Sequence, residues 1–135
     1  VDKEELQGVY FVRQQVFVEE QGFPEESEFN DCDNDAMYAV AISDEGVIGT
    51  IMVNIIHQSQ AKVERIAILK PLRRRGIGRA LINYMEEELS QKNVKEIVLH
   101  AQCTVVNFYR NIGYEKIGGI FIEEGVPHIK MWKKI

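Results

Sequence analysis

Eight consecutive residues, Arg73-Arg74-Arg75-Gly76-Ile77-Gly78-Arg79-Ala80, hold four arginines and two glycines. Residues of these types at this spacing bind an anion. Guanidinium groups carry a fixed charge and forked donors that match phosphate oxygens. Glycine has no Cβ, so an oxyanion can come close to its backbone N–H. Where such a run opens a helix, the first-turn N–H groups lack intrahelical acceptors and the helix dipole adds positive character. The combination predicts a cradle for a pyrophosphate. Two well-known cradles do not fit it. A P-loop needs a Lys-Ser/Thr pair after its second glycine, and none is present. The dinucleotide fingerprint needs a third glycine or alanine where this chain has Leu81.

Charge elsewhere is distributed the opposite way. Between Gln14 and Ala61 there is no lysine or arginine, yet ten Asp and Glu occur there. Eight of them are Glu19, Glu20, Glu25, Glu26, Glu28, Asp31, Asp33 and Asp35. From Lys70 to Arg79 there are five basic residues and no acid. The net charge is −5, so general nucleic-acid binding is not expected. One region suits an anion and another tolerates cations, although an acidic run also reads as a solvated loop. His57, His100 and His128 are scattered along the chain and show no metal-ligand spacing, so no metal is expected. Cys32 and Cys103 do not suggest a disulfide scaffold. No apolar run approaches the roughly 18 residues of a membrane span and no leader pattern is visible. A cytoplasmic location is therefore expected, with no membrane partner.

The elements that must position the cradle follow from periodicity. Asp2-Lys3-Glu4-Glu5 has the form of a helix cap. Leu6, Val9, Tyr10, Arg13, Val16 and Phe17 then recur at helical spacing until Gly22 and Pro24. Ala36–Ile42 and Val47–Ile56 read as strands around the turn "SDEG". A third strand, Lys62–Leu69, stops at Pro71. A helix runs from Gly76 to about Gln91 on a stripe of Ile77, Leu81, Met85 and Leu89. Glu86, Glu87 and Glu88 lie toward the wrong end of its dipole, so packing must hold it. Lys95–His100 forms another strand, its apolar run Ile97-Val98-Leu99 suited to burial on both faces. A short helix covers about Thr104–Asn111, and Tyr114–Lys134 gives two strands joined around Glu123-Glu124-Gly125. Strand–helix–strand implies a parallel pair and the hairpins imply antiparallel neighbours, so an α/β (α+β) fold with a mixed sheet is expected.

In this context Arg73-Arg74-Arg75-Gly76-Ile77-Gly78 resembles the Gln/Arg-x-x-Gly-x-Gly/Ala signature of the GNAT superfamily of acyl-CoA-dependent N-acyltransferases. "VERIAILKPL" is similar to the family's fourth strand and "NFYRNIGYE" to its Phe-Tyr-x-x-x-Gly-Phe/Tyr segment. "VFVEEQGFP" and "GVPHIKM" are similar to the ElaA/YjcF-like bacterial branch. The resemblance covers residues 1–135 as a single domain, without the usual opening strand. It implies a mostly antiparallel twisted sheet, helices on both faces, and a central parallel pair splayed to admit a cofactor arm. It implies acetyl-CoA as acyl donor and no metal. Backbone amides from Arg74 to Arg79, with Arg73 and Ala80 flanking them, would hold the pyrophosphate. Ile66, Ala67 and Ile68 would pair with pantetheine like an added strand. Gln102 stands where many members have an asparagine that contacts the cofactor. Asn107 and Arg110 would contact pantetheine and the 3′-phosphate side.

The implied reaction is acetyl transfer to a primary amine by direct attack in a ternary complex. A lysine-like amine has a pKa near 10.4, so only about one molecule in 2,500 is deprotonated at pH 7, and a base is needed. Glu64 is the first candidate, since strand alternation places it on the face of Ile66 and Ile68. His128 and His57 are second candidates because imidazole titrates nearer neutrality. Tyr109 matches the family's usual acid toward the departing thiolate. From a hydroxyl near 10 to a thiol near 8.5, full proton transfer runs uphill by about 2 kcal/mol, so hydrogen bonding to sulfur matters as much. Cys103 begins Tyr109's helix, but no partner base is near it in sequence. Glu20, Gln21 and His128 are expected on the acceptor side, which favours a cationic amine. A monomer or homodimer is expected. The alternative is a regulatory domain that binds acyl-CoA without turnover.

Overall fold

The computed structural model describes residues 3–22, 36–44, 46–57 and 59–135. Most of the acidic run (Glu25, Glu26, Glu28, Asp31, Asp33 and Asp35) lies outside the described residues, with Cys32 and Pro24. So do Asp2 of the expected cap and Glu45 of the first turn.

Helix α1 spans Lys3–Arg13 and continues as a π-helical segment over Gln14–Glu20. There the Gln21 N–H reaches back five residues to the Val16 carbonyl at 3.1 Å. The periodicity predicts one uniform helix. The chain does stay helical to Gly22, which turns out of it at φ 78°, but its last turns are wider wound. Strands β1 (Met37–Ser43) and β2 (Gly46–His57) form the expected hairpin, Met37 opposite Val53 and Ser43 opposite Gly46. Strand β3 is Gln60–Ile68, α2 is Ile77–Gln91 and β4 is Glu96–Gln102. A single turn, Cys103–Val105, leads into α3 at Val106–Asn111, then β5 (Glu115–Glu123) and β6 (Val126–Lys134). The strands are hydrogen-bonded in the order β1-β2-β3-β4-β6-β5, a mixed and mostly antiparallel sheet with one parallel pair.

That pair is β3 with β4. Its register runs from Gln60 opposite Glu96 to Val63 opposite Leu99, while β3 itself continues to Ile68. Packing divides the chain into two compact units. One contains Val1–Val53 with Arg65–Met85, the other Asn54–Glu64 with Glu86–Ile135.

In the first unit α1 comes down on β2. A Cβ at Gly8 would lie 2.5 Å from Val47 Cγ2, so the helix meets the strand where it carries no side chain. Val12, Val16 and Ala67 form a core with Phe17, Val47 and Leu69 packed against it. Arg13, on the helical stripe read from the sequence, is only 1% exposed, its Nη1 4.0 Å from the Met52 sulfur. The start of α2 is seated by another glycine. A Cβ at Gly49 would fall 2.7 Å from Ile68 Cδ1 and within 3.4 Å of Ile77 and Leu81. These are the first two residues of the expected α2 stripe.

In the second unit Ile97, Val98 and Leu99 of β4 are all buried, as a strand covered on both faces requires. Glu86, one of the acids at the unfavourable end of α2, accepts hydrogen bonds from Tyr114 Oη at 3.0 Å and Lys133 Nζ at 2.9 Å. A second Lys133 bond to the Ile112 carbonyl ties β6 to the end of α3. Strand β5 is irregular. Ile117 faces Lys130 and Phe121 faces His128, so Gly118, Gly119 and Ile120 stand opposite Ile129 alone, a bulge that Gly118 enters at φ 75°. No helix among the described residues is long and apolar enough to cross a membrane.

Candidate active site

Pro71 ends β3 in a tight turn over Lys70–Leu72, and the chain then folds back through two left-handed residues, Arg74 (φ 66°) and Gly76 (φ 79°). A left-handed arginine costs about 1–2 kcal/mol, so the loop is held in this shape by its surroundings. The first backbone bond of α2 runs from the Ala80 N–H to the Gly76 carbonyl at 3.0 Å. The N–H groups of Ile77, Gly78 and Arg79 therefore precede the helical ladder. A Cβ placed on Gly76 would meet no atom within 4 Å, so the space beside the loop at that residue is open. Arg74, Arg75, Arg79 and Ala80 are exposed around it.

Arg73 behaves differently from its neighbours. Its Nε donates to the Ile68 carbonyl at 3.0 Å, and its two Nη atoms donate to both oxygens of Glu20 at 2.6 Å each. The sequence counts Arg73 among the phosphate donors and Glu20 among the acceptor-side acids. Here each is spent on the other, joining the cradle's turn to the end of the π-helical segment. Hydrogen bonds from Arg73 hold the Glu20 carboxyl below its usual range, with the charges of Arg73 and Lys70 adding and partial burial opposing. Gln21 follows, exposed. On β3, Ala67 is buried while Ile66 and Ile68 are half-buried, the alternation expected for them. Glu64, half-buried on the same alternation, has Lys62 Nζ 3.7 Å from its carboxylate.

The second unit holds the other expected residues. Tyr109 on α3 is 6% exposed, edge-on to Phe108 and Tyr114 at ring distances of 5.1 and 5.9 Å. Burial pushes its hydroxyl up to about 12. Tyr114 is also pushed up, first by burial and then by the Glu86 carboxylate. A cavity of about 250 Å³ opens between α3 and the hairpin, lined by Cys103, Thr104, Val106, Asn107, Lys116, Ile120 and Ile129. Arg110 is exposed, Gln102 and Cys103 are half-buried, and His57 is exposed at the end of β2.

The histidines that look scattered in the sequence are not scattered in space. His100 Nδ1 lies 3.0 Å from Glu123 Oε1, and His128 Nε2 lies 3.7 Å from Glu123 Oε2. His128 Nδ1 is 2.7 Å from the Val126 carbonyl. The Phe121 ring stacks on His128 and meets His100 edge-on, at 6.0 and 5.0 Å. His100, Glu123 and His128 come from three strands, and only the β4/β6 and β5/β6 registers bring them together. The one sequence signal for this was His128 itself, an imidazole beside a hairpin turn.

Residues 3–135 match the model of the acetyltransferase (GNAT) domain family. The Bacillus subtilis protein YjcF, described as an uncharacterized N-acetyltransferase, is 30% identical over 98% of this chain and 94% of its own. A Lactobacillus plantarum structure, described as that of a proposed N-acetyltransferase, shares 30% identity with a TM-score of 0.92, covering 98% of this chain and 92% of its own. The PaiA N-acetyltransferase of Thermoplasma acidophilum, solved in complex with coenzyme A, shares the fold at a TM-score of 0.79 and 18% identity over 100% of this chain and 96% of its own. With its glycine-arginine cradle at a helix start and its parallel strand pair, the chain belongs to the GNAT acetyltransferases and is an enzyme of the YjcF-like kind.

Proposed function

We propose that the protein transfers an acetyl group from acetyl-CoA to a primary amine, by direct attack within a ternary complex. The observation that carries this reading is the cradle: free first-turn amides at Ile77, Gly78 and Arg79, an open space over Gly76, and exposed Arg74, Arg75 and Arg79. Such donors suit a diphosphate with its two negative charges. Arg73 contributes by fixing the turn through Ile68 and Glu20 rather than by contacting phosphate. Ile66, Ala67 and Ile68 offer a strand backbone for the pantetheine amides, and Gln102, Asn107 and Arg110 are the side chains proposed to contact the rest of the carrier. The coenzyme A complex of the PaiA N-acetyltransferase, which shares this fold, supports that reading.

Tyr109 supplies the donor to the departing sulfur. Its hydroxyl at about 12 stands further above a thiol near 8.5 than an ordinary tyrosine does. Full proton transfer then climbs by roughly 5 kcal/mol, so Tyr109 acts by hydrogen-bonding the developing thiolate. On the acceptor side a base must remove an ammonium proton. Glu64, the first candidate by position, already has the Lys62 ammonium beside it. The acidic composition around Glu19 to Asp35 favours a cationic acceptor such as a polyamine, an aminoglycoside-like amine or a lysine side chain. Thiol release from acetyl-CoA, measured against spermidine, an aminoglycoside and Nα-blocked lysine beside neutral and anionic amines, tests this. Turnover of the cationic set is expected. Tight acetyl-CoA binding by calorimetry without thiol release from any amine would instead make the protein a carrier-binding regulator.

A further inference from the structure

We infer that His128 Nε2 and Glu123 Oε2 together form the seat of the acceptor's ammonium group, with His128 as the base that deprotonates it. This rests on the acetyl-transfer reading above and names the acceptor-binding groups for it.

The Val126 carbonyl can only accept a hydrogen bond, so His128 Nδ1, 2.7 Å away, carries the proton. The neutral ring then has its lone pair on Nε2. Among the described residues Nε2 has no hydrogen-bond partner. It faces Glu123 Oε2 at 3.7 Å, too far for a hydrogen bond and close enough for one donor to bridge both atoms. Two acceptors facing each other at that distance call for a group with several N–H bonds and a positive charge. A primary ammonium, with three donors, satisfies both. The other carboxylate oxygen is fixed by His100 Nδ1 at 3.0 Å, and Phe121 packs on both rings. His100 and Glu123 are thus positioning residues. His128 is 6% exposed, whereas the Glu123 side chain is 43% exposed, which leaves an open side for the amine to enter and the proton to leave. Lys130, exposed, is the charged group next along the same face of β6, opposite His100 on β4.

Strand alternation adds a second observation. His128 and Ile129 point to opposite faces of β6, and Ile129 lines the cavity with Val106 and Asn107 of α3. The histidine cluster therefore lies on the face away from Tyr109's helix. Direct transfer needs a proton acceptor at nitrogen and a donor at sulfur, and the unit supplies one on each face.

The protons balance. The ammonium gives one proton to His128 Nε2, which passes it by way of Glu123 to solvent. The neutral amine forms the C–N bond to the acetyl carbonyl carbon. The C–S bond breaks with its electron pair going to sulfur, and the second amine proton ends on the thiol.

The test compares acceptors that do and do not need a base. Hydroxylamine is already neutral at pH 7, while a polyamine or lysine amine is not. In His128→Asn, turnover of the best alkylamine among spermidine, an aminoglycoside and Nα-blocked lysine should fall at least 100-fold at pH 7. The deficit should shrink as pH rises toward the amine's own pKa, and hydroxylamine should recover most of the loss. Glu123→Gln should lower kcat/KM for the same alkylamine about tenfold, through KM more than His128→Asn does, and His100→Gln should do so less. Equal losses with alkylamine and hydroxylamine, with acetyl-CoA affinity unchanged, would overturn the seat and leave acetyl transfer standing. Absence of thiol release from the wild-type protein with every amine would overturn the transfer reading itself.

Discussion

Arg73 and Glu20, 53 residues apart in sequence, meet in a two-pronged ion pair with both contacts at 2.6 Å. The carboxyl's depressed pKa fixes the pH at which this contact works. Its stabilisation is fully present above the unfolded value of about 4.5 and is lost as pH falls through the lower folded value. Both side chains are about one-third exposed, so the pair is worth no more than about 1 kcal/mol. Glu20→Gln should lower stability by that amount at pH 7 and by progressively less as pH falls through the folded value, as measured by urea denaturation across acid pH.

The cradle makes the sharpest binding prediction. Gly78→Glu puts a carboxylate where the diphosphate should sit, on a residue whose amide precedes the helical ladder. Acetyl-CoA affinity by calorimetry should fall at least 100-fold while the melting temperature changes little. Unchanged affinity would remove the cradle as the carrier site.

Tyr109→Phe keeps the ring edge-on to Phe108 and Tyr114 but removes the hydroxyl. kcat should fall about 100-fold, the usual scale for losing one hydrogen-bond donor to a developing charge, with acetyl-CoA affinity within a few-fold of wild type. An unchanged kcat in steady-state assays would confine Tyr109 to packing.

Two of the five tyrosines, Tyr109 and Tyr114, should resist ionisation in the native protein. Burial raises both, so the stability tied to their neutral forms is whole below the unfolded value of about 10 and is lost as pH rises through the folded values, about 12 for Tyr109 and higher for Tyr114. Absorbance titration at 295 nm should show these two ionising only when the protein unfolds.

Gly8 sets two effects against each other. Alanine would gain up to about 1 kcal/mol of helix propensity. Its Cβ would also come 2.5 Å from Val47 Cγ2 and 2.7 Å from Val47 Cβ, which sits too near the backbone to swing aside. Overpacking of this kind costs about 1–3 kcal/mol, so Gly8→Ala should be net destabilising by thermal melting.

The turn into α2 was legible because its signals are local. Pro71 and Gly76 act through their own backbone angles, and the α2 stripe shows in steps of four. The Glu86–Lys133 bond was half legible: the sequence showed an acid at the wrong end of a helix and no hint of the cation that answers it. The cluster of His100, Glu123 and His128 was legible only at His128, a candidate base by residue type. Its members lie 23 and 5 residues apart along the chain, and their meeting depends on strand registers that spacing does not reveal. The π-helical turns at Gln14–Glu20 were hidden for a different reason. Apolar residues at helical spacing fit an α-helix and its wider relative almost equally over two turns.

The glycine pair in β5 works as a vernier for the hairpin tip. By letting three residues stand opposite one, Gly118 and Gly119 advance the rest of the strand by two positions without inverting its sides, because the side-chain repeat of a strand is also two. Phe121 is thereby delivered opposite His128, and Glu123 two rungs further on, opposite Val126. Removing both glycines together would leave Ile120 alone opposite Ile129 and every other pairing as it is, so the two extra residues can be cut out without moving the carboxylate. Were the same residues to run as a regular strand instead, Phe121 would fall opposite Val126 and Glu123 would be carried into the turn, away from the imidazole.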